Sequence, residues 1–306
     1  MIRASSYRVV HGWPRLPSGE LLGQVSGVGA DSRGAVIVFR RARRSWPPGD
    51  TLSTEAIDAP TIMVFDAASG RQLGAWGAGR FAMPHGLAVD DQDNVWVTDV
   101  ALHQVFKFTR DGVLLLTLGE RGVPGEDSSH FNRPTDVAVA PDGSFYVSDG
   151  YRNSRVVRFA KDGRYLFSWG RRGSGPGEFH EPHGIALDAA GRVYVADRRN
   201  ARVQVFDSAG RFVAEWKGPD LGRPWAVRVG NNGDVHVVDG GDQPAAPPDR
   251  ARVLTLTRQG RIIDSFGSFG NYDGQFVWPH AIAVAADGAI YVGDVSTGMR
   301  VQKFVR

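Results

Sequence analysis

Short runs in which apolar and polar residues alternate recur along the chain, and most of them end in aspartate. Five runs read VWVTD, FYVSD, VYVAD, VHVVD and IYVGD, and they end at Asp99, Asp149, Asp197, Asp239 and Asp294. In each copy a proline stands 15 positions before the aspartate and opens a second apolar run. A period of two is typical of β-strands, so each copy predicts at least two paired strands.

A sixth, degenerate copy precedes these five. Val25-Ser26-Gly27-Val28 stands where later copies begin with proline, and its second run reaches Arg40 after the same 15 positions. Copies also carry a third apolar run, such as residues 105–108, and several add a fourth after a glycine turn, such as residues 165–169. Four short antiparallel strands per copy predict a propeller blade. The chain is therefore predicted to be all-β, a six-bladed β-propeller forming a single domain over residues 1–306.

The last copy ends after its third strand, so its blade needs a fourth strand from elsewhere. Residues 7–10 alternate in the same way and are predicted to supply it, closing the ring and covering an exposed edge. Two segments lack strand periodicity, residues 42–60 and residues 240–250. We predict that they are loops on one rim, where they frame the mouth of a pocket.

Composition narrows the class of protein. No apolar run approaches the ~20 residues of a membrane span, and the N-terminus lacks the apolar stretch of a secretory signal. The net charge is only +3, and no basic run is interleaved with aromatic residues, so nucleic acid is not an expected partner. The absence of cysteine excludes disulfides and thiolate metal sites. We expect a monomer in the cytoplasm of a bacterial-type cell, and we expect the arginines at 40, 41, 43 and 44 to serve an anionic ligand.

Three histidines stand directly after the leading proline in alternate copies: His85, His183 and His280. The strand that the proline opens is the innermost of its blade and lines the central channel, so equivalent positions in every second blade converge on the axis. Three imidazoles with an open fourth position are typical of catalytic zinc, although iron or manganese would also suit them. A lone channel histidine usually binds only water or carbonyls, and the alternation is what favours a metal. The other five histidines lack this symmetry and are predicted to be structural or exposed.

The five repeated aspartates have a simpler interpretation, since a carboxylate at a strand end can accept backbone N–H bonds of a turn. Departures from the repeat are more informative. Arg41, Tyr151 and Arg198 follow the ends of second strands, and we predict that they project toward one rim near the channel. A tyrosine flanked by arginine and a metal is expected to lose its proton more readily than a free phenol.

Several segments carry a resemblance to a known family. MPHGLAVD (83–90), WVTDVALHQVFKF (96–108), HFNRPTDVAV (130–139), FYVSDGYRNSRVV (145–157) and VADRRNARVQVF (195–206) resemble peptidyl-α-hydroxyglycine α-amidating lyase, a six-bladed propeller of the NHL-like type. The resemblance covers nearly the whole chain and is weakest over residues 40–80 and 217–260.

The resemblance implies a role for each site residue. Zinc would be held by the three histidines, Tyr151 would be catalytic, Arg41 would meet the substrate and Arg198 would be a second pocket arginine. The implied reaction breaks the N–C bond of a peptidyl- or N-acyl-α-hydroxyglycine and leaves an amide and glyoxylate. Because six blades use the whole chain, a separate monooxygenase is expected to supply this peptide or small-molecule substrate.

The chain also departs from the family. The family's calcium on the propeller axis would bind here through the backbone carbonyls of Val28 and Leu87 and through an aspartate directly after the third histidine. Ala281 stands at that position, so calcium is expected to bind weakly. Trp278 replaces a methionine before the last Pro-His and would reshape the pocket.

Two other functions remain open from the residues alone. One is a non-catalytic NHL propeller that serves as a platform for binding a protein or ligand. The other is a metal-dependent hydrolase of the lactonase kind, because propellers host such chemistry too. A platform has no need of aligned histidines, Arg41 and Tyr151 together, and a hydrolase would favour carboxylate ligands and a His or Glu base. These considerations favour the lyase.

Overall fold

A computed structural model describes residues 5–49, 51–242 and 250–306 of the chain. The described residues form six four-stranded sheets, and each sheet is one blade of a β-propeller. Blade one contains β2 (Val25–Ala30), β3 (Ala35–Arg40), β4 (Ile62–Asp66) and β5 (Gln72–Trp76). Blade two contains β6 (Pro84–Val89), β7 (Val95–Asp99), β8 (Gln104–Phe108) and β9 (Leu114–Leu118). Blade three contains β10 (Pro134–Val139), β11 (Phe145–Asp149), β12 (Arg155–Phe159) and β13 (Tyr165–Trp169).

The other three blades repeat this order. Blade four contains β14 (Pro182–Leu187), β15 (Val193–Asp197), β16 (Arg202–Phe206) and β17 (Phe212–Lys217). Blade five contains β18 (Pro224–Val229), β19 (Val235–Asp239), β20 (Arg252–Leu256) and β21 (Ile262–Phe266). Blade six contains β22 (Pro279–Val284), β23 (Ile290–Asp294) and β24 (Arg300–Val305), with β1 (Arg8–Val9) as its outermost strand. No helix in the described part of the chain is long and apolar enough to cross a membrane.

The blades form a closed ring. Each innermost strand contacts the innermost strands of both neighbours, in the order β2, β6, β10, β14, β18, β22 and back to β2. Within every blade the strands pair in an antiparallel manner, and the leading proline of blades two to six lies opposite the aspartate that ends the second strand. The six-bladed propeller predicted from the repeat is therefore confirmed.

The N-terminal strand lies within the segment predicted for it. Arg8 pairs with Val305 and Val9 with Phe304, so β1 covers the outer edge of β24. Just before β1, the ring of Tyr7 packs against Phe266 of blade five with centroids 4.9 Å apart. That this segment stabilises the whole ring stays a prediction.

The repeated aspartates hold the start of the innermost strand in blades two to six. Asp99 is fully buried. Its carboxylate accepts backbone N–H bonds from Ala82 and Met83, which precede β6, and from Ala101 and Leu102, which follow β7. The four other aspartates accept backbone N–H bonds from the residues that precede their own leading proline. Their predicted structural role is confirmed.

Candidate functional site

The three alternating histidines meet on the propeller axis. His85, His183 and His280 lie on the innermost strands β6, β14 and β22, and their side chains are almost completely buried. Each offers one ring nitrogen, and the three nitrogens lie within 4.8 Å of one another. Their ring centroids are 4.7–4.9 Å apart, so the structure brings together the three residues that the repeat singled out.

Each histidine is oriented by the blade that follows it. The Nδ1 atoms of His85 and His183 lie 2.6 Å from the carbonyl oxygens of Thr135 and Trp225, and the Nδ1 of His280 lies 2.9 Å from the carbonyl of Ser26. A carbonyl oxygen can only accept, so each Nδ1 carries the proton and each Nε2 presents a lone pair. Such a second hydrogen bond is typical of metal-binding histidines.

The surroundings keep the three rings neutral. The pKa of His85 is lowered to about 3, mainly by burial and then by the charges of the nearby Arg41 and Arg198. The pKa values of His183 and His280 also lie well below their ordinary value, mainly because of burial and then because of the neighbouring rings and arginines. The nitrogens are thus free of protons in the form that a metal ion requires.

Tyr151 lies directly against the histidine nitrogens. Its hydroxyl oxygen is 2.9 Å from Nε2 of His85 and 3.1 Å from Nε2 of His183. The phenol has one proton, so it can donate to only one of these nitrogens, and the remaining lone pairs face one another. A group of electron-rich atoms with too few protons is a chemically suitable place for a cation.

The protein residues by themselves do not make Tyr151 acidic, and the expectation that it loses its proton readily beside a metal stays a prediction. Burial raises the pKa of Tyr151 to about 12 and outweighs the opposing effect of Arg198 and Arg41. A metal ion bound beside the phenol would lower this pKa.

Arg41 is a buried guanidinium held in a fixed orientation. Its Nε donates to the carbonyl of Pro84 at 3.0 Å, and its Nη1 donates to Oε1 of Gln24 at 2.7 Å. Burial lowers the pKa of Arg41 to about 10, so the side chain stays charged at neutral pH. Within the described residues no carboxylate forms an ion pair with it. A buried cation whose own side-chain partners are neutral is suited to bind an anion.

Arg198 also reaches the site, but its charge is offset within the protein. Its Nη1 forms an ion pair with Oε1 of Glu181, and its guanidinium carbon lies 3.3 Å from the ring centroid of Trp225. Glu181 accepts a second bond from Arg199 at 2.6 Å. The sequence interpretation foresaw Arg198 as a pocket residue but not that Glu181 binds it.

A large cavity of about 720 Å³ opens above the histidines. Arg41, Tyr151, Arg198 and His280 all line it. Three tryptophans add apolar surface, and Trp225 and Trp278 pack edge to face with centroids 5.1 Å apart. The remaining lining residues include Gln24, Trp46, Pro47, Pro48, Gly49, Arg133, Arg152, Glu181, Arg199, Val295 and Ser296.

The first interrupting segment frames this cavity as predicted, because Trp46 to Gly49 lie in its wall. In the second segment, residues 243–249 lie outside the described residues. The expectation that the whole arginine cluster serves a ligand was wrong. Arg40 donates to the carbonyls of Leu21 and Pro60, and Arg44 donates to that of Ala82, so only Arg41 of the cluster lines the cavity.

The sequence interpretation missed one class of lining residue. Gln24, Arg133, Glu181 and Trp278 occupy the same register, directly before the start of an innermost strand, and all line the cavity. This position varies strongly among the six copies, whereas the residue that follows it is proline in five of them. Variation at this one position of the repeat could have identified these residues as lining the cavity, and Trp278 alone was recognised from the sequence.

The presumed calcium ligands lie farther along the same strands. Leu87 is on β6, and its carbonyl oxygen accepts an N–H bond from Arg228 at 3.0 Å. Val28 occupies the equivalent position on β2. Ala281, on β22, offers no side-chain oxygen to a cation.

The blades match a known repeat. The NHL repeat family matches residues 81–108, 131–159, 179–206 and 276–304, which are the inner three strands of blades two, three, four and six. A solved structure described as a streptogramin B lyase shares the fold, with a TM-score of 0.62, 14% identity and coverage of 98% of this chain and 97% of that one.

Curated relatives are much closer in sequence. Peptidylglycine alpha-amidating monooxygenase of Rattus norvegicus is 39% identical over 90% of this chain, although the match spans only 30% of that protein's length. Peptidyl-alpha-hydroxyglycine alpha-amidating lyase 2 of Drosophila melanogaster is 36% identical over 97% of this chain and 75% of its own length. The fold, the repeat and this identity along most of both chains show that the chain belongs to the peptidyl-alpha-hydroxyglycine alpha-amidating lyase family.

Proposed function

We propose that this protein is a zinc-dependent lyase that cleaves the N–C bond of a peptidyl- or N-acyl-α-hydroxyglycine. The products are the corresponding amide and glyoxylate. One observation carries the proposal: three deprotonated histidine nitrogens and the Tyr151 oxygen converge at the floor of a cavity whose wall contains the buried cation Arg41. The lyase names of the relatives support this choice of reaction.

The residues present fit a zinc ion. Three neutral imidazoles, each fixed through Nδ1, are the ligand set of catalytic zinc sites with one open position. Bound there, zinc would supply a Lewis acid for a hydroxyl oxygen and positive charge beside the phenol of Tyr151. Iron or manganese would suit the same nitrogens.

Tyr151 is placed to move the proton that the reaction requires. In the substrate, a hydroxyl group and an amide nitrogen are attached to the same carbon. With Tyr151 in its phenolate form, which the positive charge of a bound metal would favour, the Tyr151 oxygen takes the hydroxyl proton, the C–O bond becomes a carbonyl, and the electrons of the C–N bond pass to the amide nitrogen. That nitrogen then receives the proton, so the reaction consumes neither water nor an oxidant.

Arg41 gives the substrate its orientation. Two of its N–H groups are used on Pro84 and Gln24, and Arg41 lines the cavity. A charge-assisted bond to the carboxylate of the α-hydroxyglycine would direct that end of the substrate inward. The acyl or peptide part would then contact Trp225 and Trp278, which line the cavity.

A hydrolase is less well supported by this geometry. Among the described lining residues Glu181 is the sole carboxylate, and it is already bound by Arg198 and Arg199. It is therefore not free to act as a base toward water. A purely binding platform would leave the inward-facing nitrogens and the Tyr151 oxygen without a role.

The test is turnover of a minimal substrate. Purified protein supplied with zinc should convert α-hydroxyhippurate to benzamide and glyoxylate in equal amounts. Tyr151→Phe should retain zinc and lose activity, whereas Tyr272→Phe, at an 81% exposed position, should match the wild type. Absence of glyoxylate from the zinc-loaded protein, or full activity of Tyr151→Phe, would refute the proposal.

The proposed substrate carries an oxidised glycine. Another reaction must first install the hydroxyl group on the α-carbon of a C-terminal glycine. We therefore propose that a hydroxylating monooxygenase supplies this enzyme.

A further inference from the structure

A guanidinium lies on the propeller axis beyond the histidines. Arg228, on β18 of blade five, donates from Nη2 to the carbonyl of Leu87 at 3.0 Å. Its Nη1 donates to the carbonyl of Ile185 at 3.0 Å and to that of Val227 at 2.9 Å. These three carbonyls share one register, the third position after the leading proline, in blades two, four and five.

A carboxylate from a fourth blade completes the arrangement. Asp136, on β10 of blade three, accepts from Nη1 of Arg228 at 2.8 Å and from Nη2 at 3.2 Å. Asp136 is 5% exposed, and its Oδ2 also accepts the backbone N–H of Ile185. A two-point bond of this kind fixes the plane of the guanidinium as well as its position. One side chain thus links the innermost strands of four blades.

This arrangement does not fit a calcium ion. Calcium binds oxygen at about 2.3–2.6 Å and needs six or more such ligands. The Leu87 carbonyl is already bound by Arg228, and Ala281 provides no carboxylate. A calcium ion near Leu87 would also meet the positive charge of the guanidinium at close range.

We propose that Arg228, held by Asp136, is a built-in cation that takes the place of calcium on the axis of this propeller. Backbone carbonyls from several blades point at the same region, and their negative ends require a positive partner. The covalently attached guanidinium meets that requirement without an ion from solution. This assignment concerns the frame of the ring and does not depend on the reaction proposed above.

Removal of the Arg228 side chain tests this assignment. Truncating Arg228 while keeping Asp136 leaves several carbonyl oxygens and one carboxylate around a vacant space. Hard oxygen ligands of this kind are those that calcium prefers. The variant should therefore gain a calcium dependence that the natural protein lacks.

The experiment compares the thermal unfolding of four proteins, each with and without added calcium chloride. They are the wild type, Arg228→Ala, Arg228→Lys and a double variant that combines Arg228→Ala and Asp136→Asn. Magnesium chloride is the control ion, because magnesium demands a smaller and more regular site. Calorimetric titration with calcium measures binding directly.

We expect the wild type to bind no calcium and to keep its Tm in calcium. Arg228→Ala should unfold at lower temperature and recover by about 2–4 °C when calcium is added. The double variant should not recover, and Arg228→Lys should be less destabilised than Arg228→Ala because it keeps the charge.

Three outcomes would overturn the proposal. One is stoichiometric calcium binding or a calcium-raised Tm in the wild type. The second is an Arg228→Ala protein as stable as the wild type. The third is a destabilised Arg228→Ala protein that calcium does not help. If Arg228→Ala fails to fold without calcium, folding in its presence supports the proposal, and failure in both conditions counts against it.

Discussion

Replacing Arg41 by methionine tests how this protein would recognise its substrate. The Arg41 side chain is 2% exposed, and its charge has no carboxylate partner among the described residues. Methionine has similar length but cannot bind an anion. We therefore expect Arg41→Met to lose affinity for the carboxylate of an α-hydroxyglycine while the histidines keep their metal.

The size of the effect follows from the contact that is lost. A hydrogen bond to a charged group in a buried place contributes about 1.5–3 kcal/mol, and each 1.4 kcal/mol is a factor of ten. The variant should thus lower kcat/KM for α-hydroxyhippurate by roughly 10- to 100-fold. Because the bond is made in both the bound substrate and the transition state, most of the loss should be in KM.

The assay uses two substrates that differ only in charge. The assay measures glyoxylate released from α-hydroxyhippurate and glyoxylamide released from its primary carboxamide, which carries no negative charge. The wild type should prefer the carboxylate, and Arg41→Met should treat the two nearly alike. Arg43→Met is the matched control, since Arg43 is exposed and does not line the cavity. If Arg41→Met keeps the preference for the carboxylate, the reasoning about Arg41 is refuted.

Three further predictions concern the metal, the pocket and the ring. His183→Ala should fail to hold stoichiometric zinc by elemental analysis, whereas His236→Ala, which removes a buried histidine bonded to Thr255 and remote from the axis, should retain it; equal zinc content in both would contradict the assigned ligands. Trp278→Met should enlarge the cavity and improve kcat/KM for substrates with bulky acyl groups relative to small ones, and an unchanged ratio would show that Trp278 does not contact the acyl group. Deleting residues 1–12 removes β1 and the packing of Tyr7 on Phe266, which should cost about 3 kcal/mol or more and lower the Tm; an unchanged Tm would mean that the N-terminal strand does not stabilise the ring.

The repeat made most of the fold predictable. A fixed interval between proline and aspartate defines both inner strands of a blade, and six copies leave few alternatives to a ring. The histidine site followed directly, because symmetry carries equivalent residues to equivalent places. His85, His183 and His280 needed no contact information beyond their shared register.

What the sequence could not predict depends on side-chain contacts, some of them between different blades. Glu181 and Arg198 lie side by side in blade four because Pro182 pairs with Asp197, but the repeat does not specify that these two positions carry opposite charges and form an ion pair. Likewise Arg228 sits at an ordinary strand position, and only the closed ring shows that it reaches Asp136 and Leu87. The effect of burial on the pKa of Tyr151 also lies outside the repeat, because it depends on neighbours such as Trp46, whose ring centroid is 5.2 Å from that of Tyr151.

Because each histidine Nδ1 bonds to a carbonyl of the next blade, the three-histidine site depends on the whole ring. The three rings come from blades two, four and six, and the carbonyls that orient them come from blades three, five and one. No arc of the propeller, however stable, contains a complete set of ligands with their supports. Metal affinity would therefore report whether all six blades have assembled, so the protein could bind zinc tightly only as the last step of its folding.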